Sequence, residues 1–229
     1  MEQTQNEFLN EVHLTGQVKH INRNLDKQVT SVEIATYERH TNYPTVLCFG
    51  EMLAKADEIK EGDWVNAVGR IETRRKKVSE QDPTKIDYRQ GIVLTDIKKV
   101  ESVGEKYFGT NAEKNGIYDS ENMVVLSGTI NSFKVSGDKN NRAQATVYCM
   151  NGKFRNLIML TFYSNDAEAL VNQYEKGDWV NVIARVQTIP STKTSTGKKK
   201  EVLVGRRISK ANIEDLSAKE DMDEREKVD

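Results

Sequence analysis

Apolar and polar residues alternate along two stretches of this chain that lie 112 residues apart. In residues 12–18 every second position holds an aliphatic residue or a glycine, and residues 124–130 repeat the pattern with the glycine in the same place. A period of two sends successive side chains to opposite faces of an extended strand. Both stretches are therefore predicted to be β-strands with one face in a core.

An internal repeat extends this correspondence over most of the chain. Residues 62–66 read GDWVN and recur unchanged at 177–181, and an arginine and a threonine follow at the same spacing in both copies. Further along, the aliphatic positions of 92–97 return in 203–208 at an offset of 111. Such self-similarity indicates two copies of one structural unit, each roughly 100 residues long, which is an ordinary domain size.

The same hydrophobic pattern predicts five strands and one short helix in each copy. In the first copy the strands lie near 12–23, 28–40, 44–50, 63–75 and 86–100, with the helix at 51–59. In the second copy they lie near 123–134, 143–151, 157–163, 178–189 and 200–213, with a helix that ends at Tyr174. A helix between the third and fourth of five strands is the arrangement of the OB fold, a small Greek-key barrel whose open face and long loops bind oligonucleotides.

We therefore predict an all-β chain of two tandem OB-fold five-stranded barrels, at 8–101 and 122–213, joined by a linker at 102–121. With 37% hydrophobic residues, the 229-residue chain can give these barrels only modest cores.

The charge of the chain is unevenly distributed. Residues 214–229 hold eight acidic and three basic residues, a net charge of −5, whereas the rest of the chain has a net charge of +4, which gives −1 overall. This nearly apolar-free acidic segment is predicted to be a disordered tail behind a mildly basic body.

The sequence lacks the features of a membrane protein and of an enzyme. No apolar run approaches the roughly 18 residues that span a bilayer, and the first ten residues are polar and acidic, so we expect a cytoplasmic protein. The three histidines fall in the first two strands of copy one only, and neither a Walker loop nor a GxGxxG loop occurs. Cys48 and Cys149 are expected to be buried as small hydrophobic residues. We predict no catalytic residue, no metal and no cofactor.

Several motifs of the first copy resemble those of the bacterial and phage single-stranded-DNA-binding (SSB) proteins. They are VLCFG at 46–50, Ala54, KEGD at 60–63 and VGRIETR at 68–74, which are similar to the third strand, helix and fourth strand of that family. The second copy is more divergent. It keeps Phe162 and the run EKGD at 175–178, but it carries Ala184 and Ile189 where the family has a glycine and an arginine.

The resemblance implies a non-enzymatic protein that binds single-stranded DNA in a sequence-tolerant way and protects it in replication, recombination or repair. Family members with one barrel assemble as tetramers and a few with two barrels dimerise, so we expect a homodimer or an intramolecular pseudo-dimer of barrels. Tails of cellular members recruit partner proteins through a Pro-Phe tip, whereas residues 226–229 read EKVD. This difference favours an origin in a phage or mobile element of a bacterial host, and it leaves recruitment of replication or recombination proteins by the acidic tail as a hypothesis.

Binding of single strands requires cations that follow the phosphates and aromatic faces on which bases stack. The loop between the fourth and fifth strands is basic in both copies, and we predict that it contacts phosphates; a solvated hairpin tip is the alternative. The predicted phosphate-binding residues are Arg74, Arg75, Lys76, Lys77, Lys193, Lys198, Lys199 and Lys200. Weaker candidates are Lys134, Lys139, Arg142 and Arg155.

Phe49 and Phe162 close the predicted third strand in the two copies, and the resemblance implies that a base stacks on the residue at this position. Small residues, Cys48 and Thr161, precede them, so that each Phe is expected to face outward if the small residue faces the core. Core packing of the Phe is the alternative. The other aromatic candidates for DNA binding are Tyr43, which matches a further aromatic position of the family, then Tyr37, Tyr148 and Phe154, and last Tyr88 and Tyr163.

The two tryptophans of the chain, Trp64 and Trp179, occupy the same position in both copies. Period-two alternation in the fourth strand places them on its outer face, which in the family packs barrel against barrel. We interpret both as anchors of a protein–protein interface, with base stacking as the alternative.

Two other functions are compatible with the same residues. A tandem OB protein that binds RNA would use the same stacking and phosphate contacts. An OB scaffold that binds proteins would not respond to nucleic acid at all.

Overall fold

The structure is a computed structural model that describes residues 8–37, 41–77, 86–101, 120–136, 141–152, 154–190 and 199–210. The predicted tail, nearly all of the predicted linker and the loop residues Lys139, Lys193 and Lys198 lie outside these ranges. Within them, neither helix has the length and apolar character that crossing a bilayer requires.

Each copy of the repeat forms a barrel in which a helix follows the third strand. The first barrel consists of β1 (Leu9–Asn24), β2 (Val29–Tyr37), β3 (Thr41–Asn42), β4 (Thr45–Cys48), α1 (Met52–Asp57), β5 (Trp64–Lys77) and β6 (Ile86–Lys99). The second consists of β7 (Glu121–Ser136), β8 (Arg142–Asn151), β9 (Phe154–Tyr163), α2 (Ser164–Gln173), β10 (Trp179–Pro190) and β11 (Lys199–Lys210). The short β3 and β4 together take the place of the predicted third strand.

The strand pairing closes each barrel. In the first, β1 pairs with β2, β2 with β4, β4 with β6, β6 with β5, and β5 with β1 again, and only the β4–β6 pairing is parallel. The second barrel follows the same circuit through β7, β8, β9, β11 and β10, with β9–β11 as the parallel pair. The predicted all-β fold of two OB barrels is confirmed.

The core residues follow the period-two pattern of the strands. Leu14, Ile34 and Ile71 are fully or almost fully buried in the first barrel, as are Leu126 and Ile158 in the second. Cys48 and Cys149 are buried free thiols, and desolvation raises the pKa of each to about 11. They pack as small hydrophobic residues, as predicted.

A glycine is required where the first strand of each barrel passes closely over the second. A Cβ added to Gly16 would lie 2.1 Å from the carbonyl oxygen of Ala35, and one added to Gly128 would lie 2.2 Å from that of Tyr148. The glycine in the alternating pattern is thus a packing requirement of the barrel.

The barrels join through their first strands. β1 and β7 pair in antiparallel fashion, and Val12 lies opposite Val124. Because these two valines are equivalent in the repeat, the ladder has approximate two-fold symmetry about this pair. One chain therefore contains a pseudo-dimer of barrels.

Two equivalent asparagines brace the first strands against the fourth. The Asn10 amide donates to the Ile71 carbonyl at 2.8 Å and accepts from the Ile71 N–H at 2.9 Å. Asn122 makes the same two bonds to Val186, both at 2.8 Å. Each amide satisfies a backbone donor and acceptor that the strands leave open.

Candidate nucleic-acid interface

In the first barrel, the outer end of the third strand presents an aromatic ring beneath an arginine. Cys48 points into the core, so that Phe49, the next residue, lies on the outer surface and is partly exposed. The guanidinium carbon of Arg74 lies 4.9 Å from the centre of the Phe49 ring. The predicted outward orientation of Phe49 is confirmed, and the site combines a stacking face with a cation.

The predicted outward orientation of Phe162 is wrong. Its side chain has 0% exposure and packs over Gly205, where an added Cβ would lie 2.1 Å from the Phe162 Cε1 atom. A ring enclosed in this way has no face available for a base. Phe162 is a core residue of the second barrel.

The register of the parallel strands explains the error. Val46 on β4 lies beside Ile92 on β6, whereas Leu160 on β9 lies beside Leu203 on β11. Ile92 and Leu203 are equivalent in the repeat, so Val46 corresponds to Leu160. Residues of the two third strands therefore correspond at an offset of 114. Matching Phe49 to Phe162 uses an offset of 113, which is one residue out of register.

Tyr163 is the true counterpart of Phe49, and Phe162 occupies the position of Cys48. The Tyr163 side chain is 43% exposed, and the guanidinium carbon of Arg142 lies 5.9 Å from its ring centre. The sequence analysis ranked Tyr163 and Arg142 low among the candidates. The register of the β-sheet would have identified Tyr163 as the counterpart of Phe49. The pairing of an arginine with an aromatic ring thus recurs, with the arginine supplied by β5 in one barrel and by β8 in the other.

Those predicted phosphate-binding cations that the structure describes lie toward the ends of long hairpin arms. Arg74, Arg75, Lys76 and Lys77 belong to β5 itself, which pairs with β6 as far as Lys77 and Ile86, so their predicted placement in the loop is wrong. Lys199 and Lys200 begin β11, and the Lys200 side chain is exposed. Among the weaker candidates, Lys134, Arg142 and Arg155 have exposed side chains.

The remaining aromatic candidates are distributed over three places. Tyr43 and Trp64 are partly buried and pack together against Ala35. Phe8, which directly precedes β1, contacts Trp179 of the second barrel, with ring centres 4.6 Å apart, and lies edge-on to Tyr148 at 5.8 Å. Phe154 at the start of β9 is 58% exposed. The side chains of Tyr37 and Tyr88 are outside the described part of the structure.

A groove of about 260 Å³ on the outer face of the first barrel is lined in part by Arg74, the arginine that lies over the Phe49 ring. Its lining combines aliphatic and ionic side chains from β4, β5 and β6, namely Leu47, Glu72, Arg74, Arg89, Gln90, Gly91 and Val93. The groove is open to solvent, and its volume is slightly below the roughly 300–1,000 Å³ of typical ligand pockets.

Reciprocal hydrogen bonds hold the hairpin arm of each barrel against the other barrel. The backbone N–H of Thr73 on β5 donates to the Asn156 side-chain oxygen at 2.9 Å. In the same way the N–H of Thr188 on β10 donates to the Asn42 side-chain oxygen at 3.2 Å. Because Thr73 and Thr188 are equivalent, as are Asn42 and Asn156, the contact follows the same two-fold symmetry as the β1–β7 ladder.

A further equivalent pair differs in chemistry. The Gln90 amide accepts from the Met159 N–H at 2.9 Å and donates to the Met159 carbonyl at 3.1 Å. At the equivalent position the Glu201 carboxylate accepts from the Thr45 N–H at 2.8 Å. Burial raises the pKa of the Glu201 carboxyl, and the nearby carboxylate of Glu33 acts in the same direction, while the hydrogen bonds from Thr45 oppose it.

The described residues contain no group of three or more histidine, cysteine, aspartate or glutamate side chains placed to hold a metal ion. The candidate site combines aromatic rings and cations of both barrels with the groove of the first barrel.

No protein-family model and no curated protein sequence matches this chain. In structure, the chain is similar to the wild-type single-stranded DNA binding protein from Thermus aquaticus, with a TM-score of 0.62 and 14% identity over 90% of this chain and 94% of that chain. A deletion mutant of the Thermus aquaticus protein gives a TM-score of 0.63 and 15% identity over 90% of this chain and 96% of that chain. At these identities the similarity establishes a shared fold that includes both barrels.

Proposed function

We propose that this protein is a non-enzymatic, sequence-tolerant single-stranded-DNA-binding protein that protects single strands in replication, recombination or repair. Fold alone does not determine function, so the proposal depends on the site. The observation that carries it is the partly exposed Phe49 ring with the Arg74 guanidinium 4.9 Å away. A base stacks on such a face whatever its identity, and an arginine beside it neutralises phosphate charge.

Each barrel carries one candidate stacking site, and fixed contacts join the barrels. Phe49 with Arg74 and Tyr163 with Arg142 provide one stacking site in each barrel. The β1–β7 ladder and the reciprocal contacts of the hairpin arms fix the two sites relative to one another. A strand that engages both sites gains affinity because the second contact is intramolecular.

We also propose that two chains associate through the outer face of the sheet formed by β5, β1, β7 and β10. The sequence interpretation of Trp64 and Trp179 places them on this face, and Ile183 of β10 is 37% exposed. Accessible aliphatic and aromatic residues on one face are typical of an interface core. Sedimentation equilibrium should give twice the mass of one chain; a monomeric mass would contradict this part of the proposal.

The central test is a titration of the intrinsic tyrosine and tryptophan fluorescence with oligo(dT) at two salt concentrations. We expect saturable quenching with an affinity that falls with salt, at a slope of about −0.7 per phosphate neutralised. A parallel titration with oligo(U) distinguishes the RNA-binding alternative, which predicts tighter binding of oligo(U). Absence of any quenching by either polymer, supported by absence of binding in fluorescence anisotropy, would favour the protein-binding scaffold.

A further inference from the structure

The groove on the outer face of the first barrel has an apolar base and a polar rim. Leu47 and Val93 supply aliphatic surface, and Gly91 leaves space between them because it has no side chain. The rim holds the carboxylate of Glu72 and the guanidinium groups of Arg74 and Arg89. An aliphatic base with polar groups at its rim suits one heterocycle, such as a nucleobase, better than a phosphate.

The rim is held in place by contacts outside the groove. One Glu72 oxygen accepts from the Arg70 guanidinium at 2.7 and 3.1 Å, whereas the other oxygen lies 3.9 Å from Arg74. The Gln90 amide at the groove is fixed by its two bonds to Met159 of the second barrel. An oriented carboxylate that retains accepting capacity therefore lies beside the Arg74 guanidinium at the rim of the groove.

This combination of groups matches one base best. Guanine offers O6 and N7 as adjacent acceptors, which is the edge that arginine reads in a bidentate manner. On its other edge guanine carries the N1–H and N2–H donors, which a carboxylate oxygen accepts. Adenine lacks the keto acceptor, and the pyrimidines lack N7.

The second barrel carries different groups at the equivalent positions. Val202 stands in the place of Gly91, Ile189 in that of Arg74 and Gln187 in that of Glu72. The branched side chain of Val202 stands where Gly91 leaves space in the first barrel. Ile189 and Gln187 carry neither a guanidinium nor a carboxylate group. The chemistry of the groove is therefore specific to the first barrel.

We propose that this groove is a nucleobase subsite that prefers guanine, so that the first barrel, unlike the second, discriminates among bases within otherwise sequence-tolerant binding. The inference rests on the proposed binding of single-stranded DNA. It adds a preference at one nucleotide position to that function.

The test compares four oligonucleotides, a 15-mer of dT and the same 15-mer with one central dG, dA or dC, by fluorescence anisotropy with the full chain. The unmodified protein should bind the dG oligonucleotide about five- to tenfold tighter than the other three. In Gly91→Val the ratio of dG to dT affinity should fall to about one, because the added side chain fills the groove. An added Cβ at Gly91 would lie 3.6 Å from Leu47 Cδ1, an ordinary contact, so Gly91→Ala is a second variant that keeps the test valid if the valine impairs folding.

The matched control is Val202→Ala at the equivalent position of the second barrel, which should leave the ratio of dG to dT affinity as it is in the unmodified protein. Equal affinity for all four oligonucleotides, or a dG preference that survives in both folded Gly91 variants, overturns the inference but leaves the proposed function standing. Failure to bind any of the four oligonucleotides overturns both.

Discussion

At the end of the third strand the first barrel exposes Phe49 over a core cysteine, whereas the second exposes Tyr163 over a core phenylalanine. Several contacts that hold the fold together are alike in the two barrels. Asn10 and Asn122 make the same bonds, and the hairpin arms meet the opposite barrel through equivalent residues. Contacts that close the barrels and join them are thus duplicated, while the outer surface differs.

Geometry explains why the two kinds of position behave differently. A residue of the two-fold contact must satisfy backbone groups of the other barrel, and an unpaired buried group costs about 1–3 kcal/mol. A residue of the outer surface meets only solvent and the proposed ligand. The outer surface can therefore differ between the barrels without loss of the fold.

The largest expected effect comes from Phe162→Ala. Removal of a buried phenylalanine leaves a cavity next to Gly205 and should lower the free energy of unfolding by about 3–5 kcal/mol. Urea denaturation followed by tryptophan fluorescence measures this. Binding of single-stranded DNA by the folded fraction should stay within about twofold of the unmodified protein, because the ring does not reach the surface.

The matched control for Phe162→Ala is Tyr163→Ala, one residue further along β9. Its side chain is 43% exposed, so its effect on unfolding should stay near 0.5 kcal/mol. If Tyr163→Ala instead destabilised the protein more than Phe162→Ala, the one-residue offset between the third strands would be refuted.

The next largest effect concerns DNA affinity. Phe49→Ala should weaken binding of oligo(dT) by about 1–3 kcal/mol, since a stacking face is lost. Tyr163→Ala should weaken it by about 1 kcal/mol, the lower end of that range, because Arg142 lies 5.9 Å from the ring centre whereas Arg74 lies 4.9 Å from that of Phe49. Anisotropy titrations at fixed salt measure both variants. Unchanged affinity in both would exclude the third-strand aromatic residues from the binding surface.

The fold could be predicted from the sequence because the strands have one buried face. Alternation in residues 12–18 and 124–130, together with the repeated GDWVN segment, fixed strand order and helix position in both barrels. The orientation of Phe49 also followed from alternation, since Cys48 precedes it. These features depend on local pattern alone.

The second-barrel site could not be predicted in the same way. Matching Phe162 to Phe49 maximised identity, but a one-residue slip reverses which side chains face the core. The slip is revealed by long-range structure, namely the parallel pairing of Leu160 with Leu203 and the burial of Phe162. The contact of Asn42 with Thr188 joins residues 146 apart, and no local pattern distinguishes either from an ordinary polar surface residue.

A smaller effect on stability tests the difference between Gln90 and Glu201. Glu201→Gln should raise the free energy of unfolding by about 1 kcal/mol at pH 7, because a buried carboxylate is replaced by an amide that can both accept from and donate to Thr45 as Gln90 does with Met159. The reverse substitution, Gln90→Glu, should destabilise the protein. Thermal and urea unfolding of both variants measure the difference.

The pH dependence has a defined sign. Burial raises the pKa of folded Glu201 above the ordinary 4.5, so above pH 4.5 the folded chain binds the proton more tightly than the unfolded chain does. The stability linked to this group is complete below pH 4.5 and is lost as pH rises through the folded pKa. Glu201→Gln should remove that loss. The difference in the free energy of unfolding between the variant and the unmodified protein should therefore increase from pH 4.5 upward. A stability difference that is independent of pH would show that the pKa of Glu201 is not raised in the folded protein.

The smallest expected effect comes from removal of residues 214–229, which follow the second barrel and carry a net charge of −5. We expect the tail to compete with DNA for the cations of that barrel, so the truncated protein should bind oligo(dT) more tightly at low salt, by less than about tenfold. The gain in affinity should fade near 0.15 M salt, where the screening length is about 8 Å and only a tail in contact with the site has an effect.

Two substitutions test whether the competition is local to the second barrel. If it is, Tyr163→Ala should reduce the affinity more in the truncated protein than in the full chain, whereas Phe49→Ala should reduce it equally in both. A full-length variant with the tail carboxylates changed to amides separates charge from length. Equal affinities of the full and truncated chains at low salt would show that the tail stays away from both barrels.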